Sequence, residues 1–385
     1  MKNSSSRAIA TLVALSLAAL CSAGCGVEDV PPTGSITRAA LTLCPTTTPC
    51  TDAASCRGRI TVDGRKVPYY RNFALGVANS DITRAVIMVH GINRNADTYF
   101  ETTVASANQA ISRGVMSCAL RRSLLIAPQF QNGTDSAASD ELVWSGSGWV
   151  RGDASTTASG AISAYRVIDT IIARLGDTAA FPNLRTIVLA GHSAGGQLVQ
   201  RYAAGGKQLL SLPSHLQVRI VPANPSSYLY LYDYRLVPGT TSTFRVPVTS
   251  HSSYTPRFEF LSTFATCTVA GDSNGFRRYR RYHYGTDVLN PYMLGTGVGV
   301  MRTAYALRDV VYLLGTMDNK DNGNMDTTCP AALQGPHRLA RGETFNRFMH
   351  VMFPWTRHHV AYAYGIGHDN RAMFSSINGV GLLFN

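Results

Sequence analysis

The pentapeptide Gly191-His192-Ser193-Ala194-Gly195 holds the residues of this 385-residue chain best suited to do chemistry. The continuous apolar run Ile187-Val188-Leu189-Ala190 leads into it, and a helical pattern from Ala194 to about residue 204 follows. A serine in a sharp turn between a buried strand and a helix sits at the helix N-terminus. Backbone N–H groups and the helix dipole favour developing negative charge there. Side chains at 191 and 195 would collide with the neighbouring strand and helix, which accounts for glycine at both positions. A neutral hydroxyl is a poor nucleophile, so Ser193 needs a base, and the base needs a third group to orient it.

Ten histidines compete for the role of base. His368 stands out because it lies in a glycine-flanked loop, Gly365-Ile366-Gly367-His368-Asp369, just past an apolar run from His359 to Tyr364. The other nine have structural accounts. His90 is expected to pack beneath the loop that follows the Ala85–Val89 run, and His192 to point away from the serine on its turn. For the orienting carboxylate the first choice is Asp318, in Gly315-Thr316-Met317-Asp318 after the run Val310–Leu314. Asp321 in the same loop is the alternative. Asp369 reads as a helix N-cap. The carboxylates at 318, 321 and 326 also invite a calcium reading. An EF-hand needs an oxygen ligand at its third position and glutamate at its twelfth, where this chain has Lys320 and Cys329.

These residues need strand ends to hold them. Ala85–Val89, Leu124–Ala127, Ile187–Ala190, Val218–Val221 and Val310–Leu314 read as strands buried on both faces. Residues 60–70 and 71–77 suggest an opening strand pair. Helical periodicity begins near Asn95, recurs over 159–175 through Ala161, Tyr165, Ile168 and Ile172, and again over 336–353. Strands alternating with helices predict an α/β fold, a mostly parallel central sheet with helices on both faces. Residues 225–305, rich in Tyr, Pro, Ser and Thr without a clean period, read as a lid-like insertion.

With these segments in order, the chain from about residue 58 to 385 resembles the α/β-hydrolase superfamily. The Gly191–Gly195 segment resembles its nucleophile turn, and Val89-His90-Gly91-Ile92 resembles the His-Gly oxyanion loop of its esterases and lipases. The acid and histidine loops follow in the family's order, serine, then acid, then histidine. The resemblance implies the α/β-hydrolase fold, a Ser193–His368–Asp318 triad, and an oxyanion hole made by the backbone N–H groups of Ile92 and Ala194. It implies a serine hydrolase acting on a small-molecule or polymeric carboxylic ester. A secreted peptidase, a polyester depolymerase, or a non-catalytic surface protein on the same scaffold are the alternatives. Such a triad requires no metal or organic cofactor.

The remaining features concern location and surface. Lys2 and Arg7 precede an apolar stretch from Ala8 to Leu20, and small residues follow up to Cys25: an export signal over residues 1–25. The stretch is too short for a transmembrane helix. Ala23-Gly24-Cys25 also resembles a lipoprotein signal, which would attach the chain to a membrane through lipid on Cys25 alone. Residues 26–57 read as a Cys-, Pro- and Thr-rich tether. Beyond the signal, Cys44, Cys50, Cys56, Cys118, Cys267 and Cys329 suggest disulfides, with pairing open. Together these readings predict a bacterial protein that is exported, whether secreted, periplasmic or on the outer surface. The formal net charge of +12 is read as a property of the compartment rather than a sign of nucleic acid. The basic and aromatic stretch from Phe276 to Tyr284 is read as a lid face whose tyrosines pack on the body. Trp144 and Trp149 either line a pocket or anchor a surface loop.

Overall fold

The computed structural model describes residues 43–385 except 158–160, 249–257, 260–275 and 322. The expected signal, Cys25 and Cys267 lie outside the described residues. Residues from Cys44 to Asn385 form one compact unit.

Eight strands make the central sheet: β1 Arg57–Val62, β2 Arg65–Arg71, β3 Arg84–Val89, β4 Ser123–Pro128, β5 Thr186–His192, β6 Gln217–Ala223, β7 Asp309–Gly315 and β8 His359–Ala363. Their spatial order is β1-β2-β4-β3-β5-β6-β7-β8. The β1–β2 and β2–β4 pairs are antiparallel, and every other pair is parallel. The chain has the α/β-hydrolase fold.

Strand alternation sorts the apolar runs into two cores. Ile87 and Val89 of β3, with Ile187 and Leu189 of β5, face one side. Val86, Met88, Val188 and Ala190 face the other. On the first side lie helices α2 (Ala164–Leu175), α3 (Ala194–Gly205), α4 (Val298–Leu307) and α5 (Arg338–Met352). On the second lie α1 (Ala96–Ser112) and α6 (Ile377–Phe384). Burial on both faces is what an unbroken Val/Ile/Leu run requires, because neither side of the strand meets water.

The opening pair departs from its expected bounds. β1 and β2 form a tight hairpin turning at Asp63-Gly64, with positive φ at both residues (45° and 82°), and residues 72–77 form no strand. Two consecutive positive-φ residues make the turn whose twist suits a two-residue hairpin, and Asp-Gly favours it.

The compact unit starts at Cys44, not residue 58. Disulfides Cys44–Cys118 and Cys50–Cys56, and a hydrogen bond from Cys50 N to Asn72 O, tie the supposed end of the tether to the body. Cys329 is also disulfide-bonded.

The sequence reading places a lid-like insertion between β6 and β7. Two tyrosines of that segment pack on the rest of the chain. The Tyr282 hydroxyl lies 2.7 Å from that of Tyr165, and the Tyr292 hydroxyl donates to the buried Asp169 at 2.9 Å. Trp144 and Trp149 are fully buried, packed on Phe130 with centroids 5.5 and 5.4 Å away, so they serve as core rather than as pocket wall. No helix among the described residues is long and apolar enough to cross a membrane.

Candidate active site

Ser193 occupies the turn between β5 and α3 with φ 58° and ψ −118°, a conformation that side chains other than glycine rarely adopt. Close packing holds it there. A Cβ at Gly191 would come within 2.6 Å of Gly195 backbone, and one at Gly195 within 2.3 Å of the Val89 carbonyl oxygen. Both contacts are to backbone, which cannot swing aside. The Ser193 N–H donates to Ala223 O at the end of β6, fixing the turn against the next strand (2.9 Å).

His368 and Asp318 come from the loops after β8 and β7, 175 and 125 residues further along. The Ser193 Oγ lies 2.9 Å from His368 Nε2, and His368 Nδ1 lies 2.6 Å from Asp318 Oδ2. If the hydroxyl donates to Nε2, then Nδ1 carries the proton and donates to the carboxylate. Asp318 is 3% exposed, and its other oxygen lies 3.4 Å from Nη1 of Arg338, itself buried at the start of α5. Arg338 escaped the sequence reading. Asp321 stays in the exposed part of its loop, where its carboxylate accepts from Gly323 N (2.9 Å) and makes no contact with His368. Asp369 caps the short helix Asn370–Ser375 by accepting from Ala372 N.

The backbone around the serine offers N–H groups for a developing anion. Ala194 is the first residue of α3, and a helix leaves its first N–H groups without internal partners. Ile92 sits in the turn after β3, 40% exposed, and its N–H has no backbone acceptor among the described residues. Ile92, Ser193 and Ala194 together line one cavity. His90 supports that turn from below. Phe130 N donates to its Nε2 (2.9 Å), which leaves its Nδ1–H to donate to Gly91 O (2.8 Å). Burial pushes His90 down to about 4, so it remains neutral and keeps this polarity.

His192 does not point away from the site, as the sequence had suggested. Its ring packs against that of His368, and the Tyr99 hydroxyl lies 3.2 Å from its Nδ1.

No family model and no curated protein matches this chain. Solved structures do. Poly(aspartic acid) hydrolase-1 from Sphingomonas sp. KT-1 is 19% identical with a TM-score of 0.54, over 86% of this chain and 98% of that one. LpqC, the poly(3-hydroxybutyrate) depolymerase from Bordetella parapertussis, is also 19% identical with a TM-score of 0.52, over 82% of this chain and 86% of that one. At this identity the likeness is one of fold.

Proposed function

We propose that the protein is a serine hydrolase that cleaves carboxylic esters through an acyl-enzyme on Ser193. The hydrogen-bonded series Asp318–His368–Ser193 carries the reading, with spacings of 2.6 and 2.9 Å. His368 Nε2 takes the Ser193 proton as Oγ attacks the ester carbonyl. The tetrahedral oxygen gathers negative charge beside the N–H groups of Ile92 and Ala194. His368 then protonates the departing alkoxide, the acyl group stays on Oγ, and water attacks it by the same route in reverse. Asp318 keeps the Nδ1 proton in position and stabilises the imidazolium that forms, without taking the proton itself. Each donor of an oxyanion hole is typically worth about 10²–10³ in rate. Gly195 leaves room for the backbone carbonyls of Val89 and His90, and Gly91 for the Tyr99 hydroxyl.

The disulfides support an exported protein, since such bonds persist in oxidising compartments. A polymeric substrate is the second reading. It rests on the names of the two neighbours, one a depolymerase of a polyester and the other a hydrolase of poly(aspartic acid).

The test is covalent labelling of the purified, oxidised chain with an uncharged fluorophosphonate, which needs no knowledge of the substrate. The expected result is one adduct on Ser193, lost in Ser193→Ala and in His368→Ala. An adduct on another serine, or none on folded wild type, would overturn the assignment and favour the non-catalytic scaffold. A panel of esters, amides and polyesters then separates esterase, peptidase and depolymerase.

A further inference from the structure

A cavity of about 380 Å³ opens beside Ser193, with Gln197 and Arg201 of α3 in its wall. Ser193, Gln197 and Arg201 are spaced by four, so they share one face of the helix. Across from them stand His283 and Tyr284 of the insertion and Asp326 of the loop that follows β7.

Arg201 is 1% exposed, and none of the ion pairs among the described residues includes it; Asp326 acts on it only through space. Its Nη1 donates to Val150 O (3.0 Å) and its Nη2 to Ser227 Oγ (3.1 Å), both neutral acceptors, and its Nε has no partner among the described residues. The cavity's other arginine, Arg151, is matched by Asp153 at 2.8 Å. Asp326 does not serve Arg201 in the same way. Its carboxylate accepts from the Tyr284 hydroxyl (2.8 Å), the Thr328 hydroxyl (2.7 Å) and Thr328 N (3.1 Å). A guanidinium withdrawn from water without a carboxylate is costly, and an anion entering the cavity would offset that cost. Burial, and then the charges of Arg201 and Arg151, push His283 down to about 2.

We propose that this cavity receives a carboxylate of the substrate and that Arg201 is the specificity-determining cation. The inference rests on the serine-hydrolase reading above. The preferred substrates are then esters whose acyl or alcohol part carries a carboxylate. Eight residues of helix separate Arg201 from Ser193, roughly 12 Å, and the long side chain leans back toward the N-terminus. A spacer of roughly two to four carbons between carboxylate and scissile carbonyl fits that reach.

The experiment compares kcat/KM of the wild type on matched pairs, corrected for spontaneous hydrolysis. In the acyl arm, the 4-nitrophenyl monoester of glutarate is set against its uncharged carboxamide counterpart. In the alcohol arm, the butyrate ester of 4-hydroxybutyrate is set against that of 4-hydroxybutyramide. In one arm the carboxylate form should be favoured roughly 10- to 100-fold, the range of a charge-assisted hydrogen bond. Arg201→Lys should keep part of that ratio and Arg201→Gln should bring it near one. No preference in either arm, with Ser193 still labelled by the fluorophosphonate, overturns the role of Arg201 alone. Failure to label overturns the underlying reading instead. A ratio that survives in folded Arg201→Gln also overturns the inference. Where that variant does not fold, wild-type protection decides. Glutarate should slow labelling of Ser193 while glutaramide at the same concentration does not, and equal effects refute the proposal.

Discussion

The imidazoles of His192 and His368 pack ring against ring, their centroids 4.4 Å apart and their planes tilted by 39°. Burial pushes His192 well below the usual imidazole range, and the charges of His368 and Arg338 act in the same direction. It therefore stays neutral beside the proposed base and acts as a floor for it rather than as a rival.

Removing that floor should loosen His368. His192→Ala is expected to lower kcat by roughly tenfold or more, because small misplacements of a reacting group are costly. KM should change little. Steady-state kinetics would show this, and a pH–rate profile with an altered acidic limb would separate a positioning role from simple destabilisation.

Asp318 and Asp321 should part company under substitution. Asp318→Asn removes the acceptor for the Nδ1 proton, and a change of this kind in a comparable triad lowers kcat by about 10⁴. It also removes the charge that lies 3.4 Å from the buried Arg338, so a loss of stability is expected beside the loss of activity. Asp321→Asn touches only an exposed turn, so activity within about twofold of wild type and stability within about 0.5 kcal/mol are expected. Urea unfolding and kinetics on both variants provide the check, and equal losses would exclude Asp318 as the orienting acid.

The protein should be labile to mild acid. His90 and His358 are pushed down to about 4, His283 to about 2 and His192 well below its ordinary value, in each case first by burial. All four are neutral when folded but take up protons once unfolded below an ordinary value of 6.5. The unfolded state then binds more protons, so stability falls as pH falls. Each histidine contributes about 1.4 kcal/mol per pH unit below 6.5, until its folded value is reached. Thermal unfolding between pH 7 and pH 4.5 should show Tm dropping steeply below about pH 6. A flat profile would mean that these imidazoles are not neutral in the fold.

The disulfides Cys44–Cys118 and Cys50–Cys56 should differ in weight. Cys44–Cys118 spans 74 residues and Cys50–Cys56 only 6. Loop-closure entropy gives about 4 kcal/mol for the first and about 2 kcal/mol for the second. Cys118→Ser should therefore lower Tm more than Cys56→Ser, as read by calorimetry on otherwise oxidised protein.

The structure brings together Ser193, His368 and Asp318, and the sequence could single them out as candidates because each is marked by short-range physics. An apolar run ends, a glycine makes room, and a reactive side chain follows at a sheet edge. The same reasoning picked out the strands flanking them, since burial on both faces writes itself as unbroken Val, Ile and Leu. The hairpin at Asp63-Gly64 was missed, because the reading ran a single strand through residues 60–70, although the Asp-Gly pair was there as the signal. Other features depend on which distant segments meet. Arg338 lies 20 residues past Asp318, at the head of a helix whose periodicity says nothing of its charged face. Arg201 sits in a helix buried on every side, and its place in the wall of the Ser193 cavity emerges only when the insertion and the loop after β7 meet it there. The ring contact of His192 with His368 joins β5 to β8, which sit three places apart in the sheet, and no local pattern records that meeting. Local sterics and burial are encoded residue by residue. The pairing of buried charges and rings is decided by tertiary packing, which brings together side chains that have no neighbours in common along the chain.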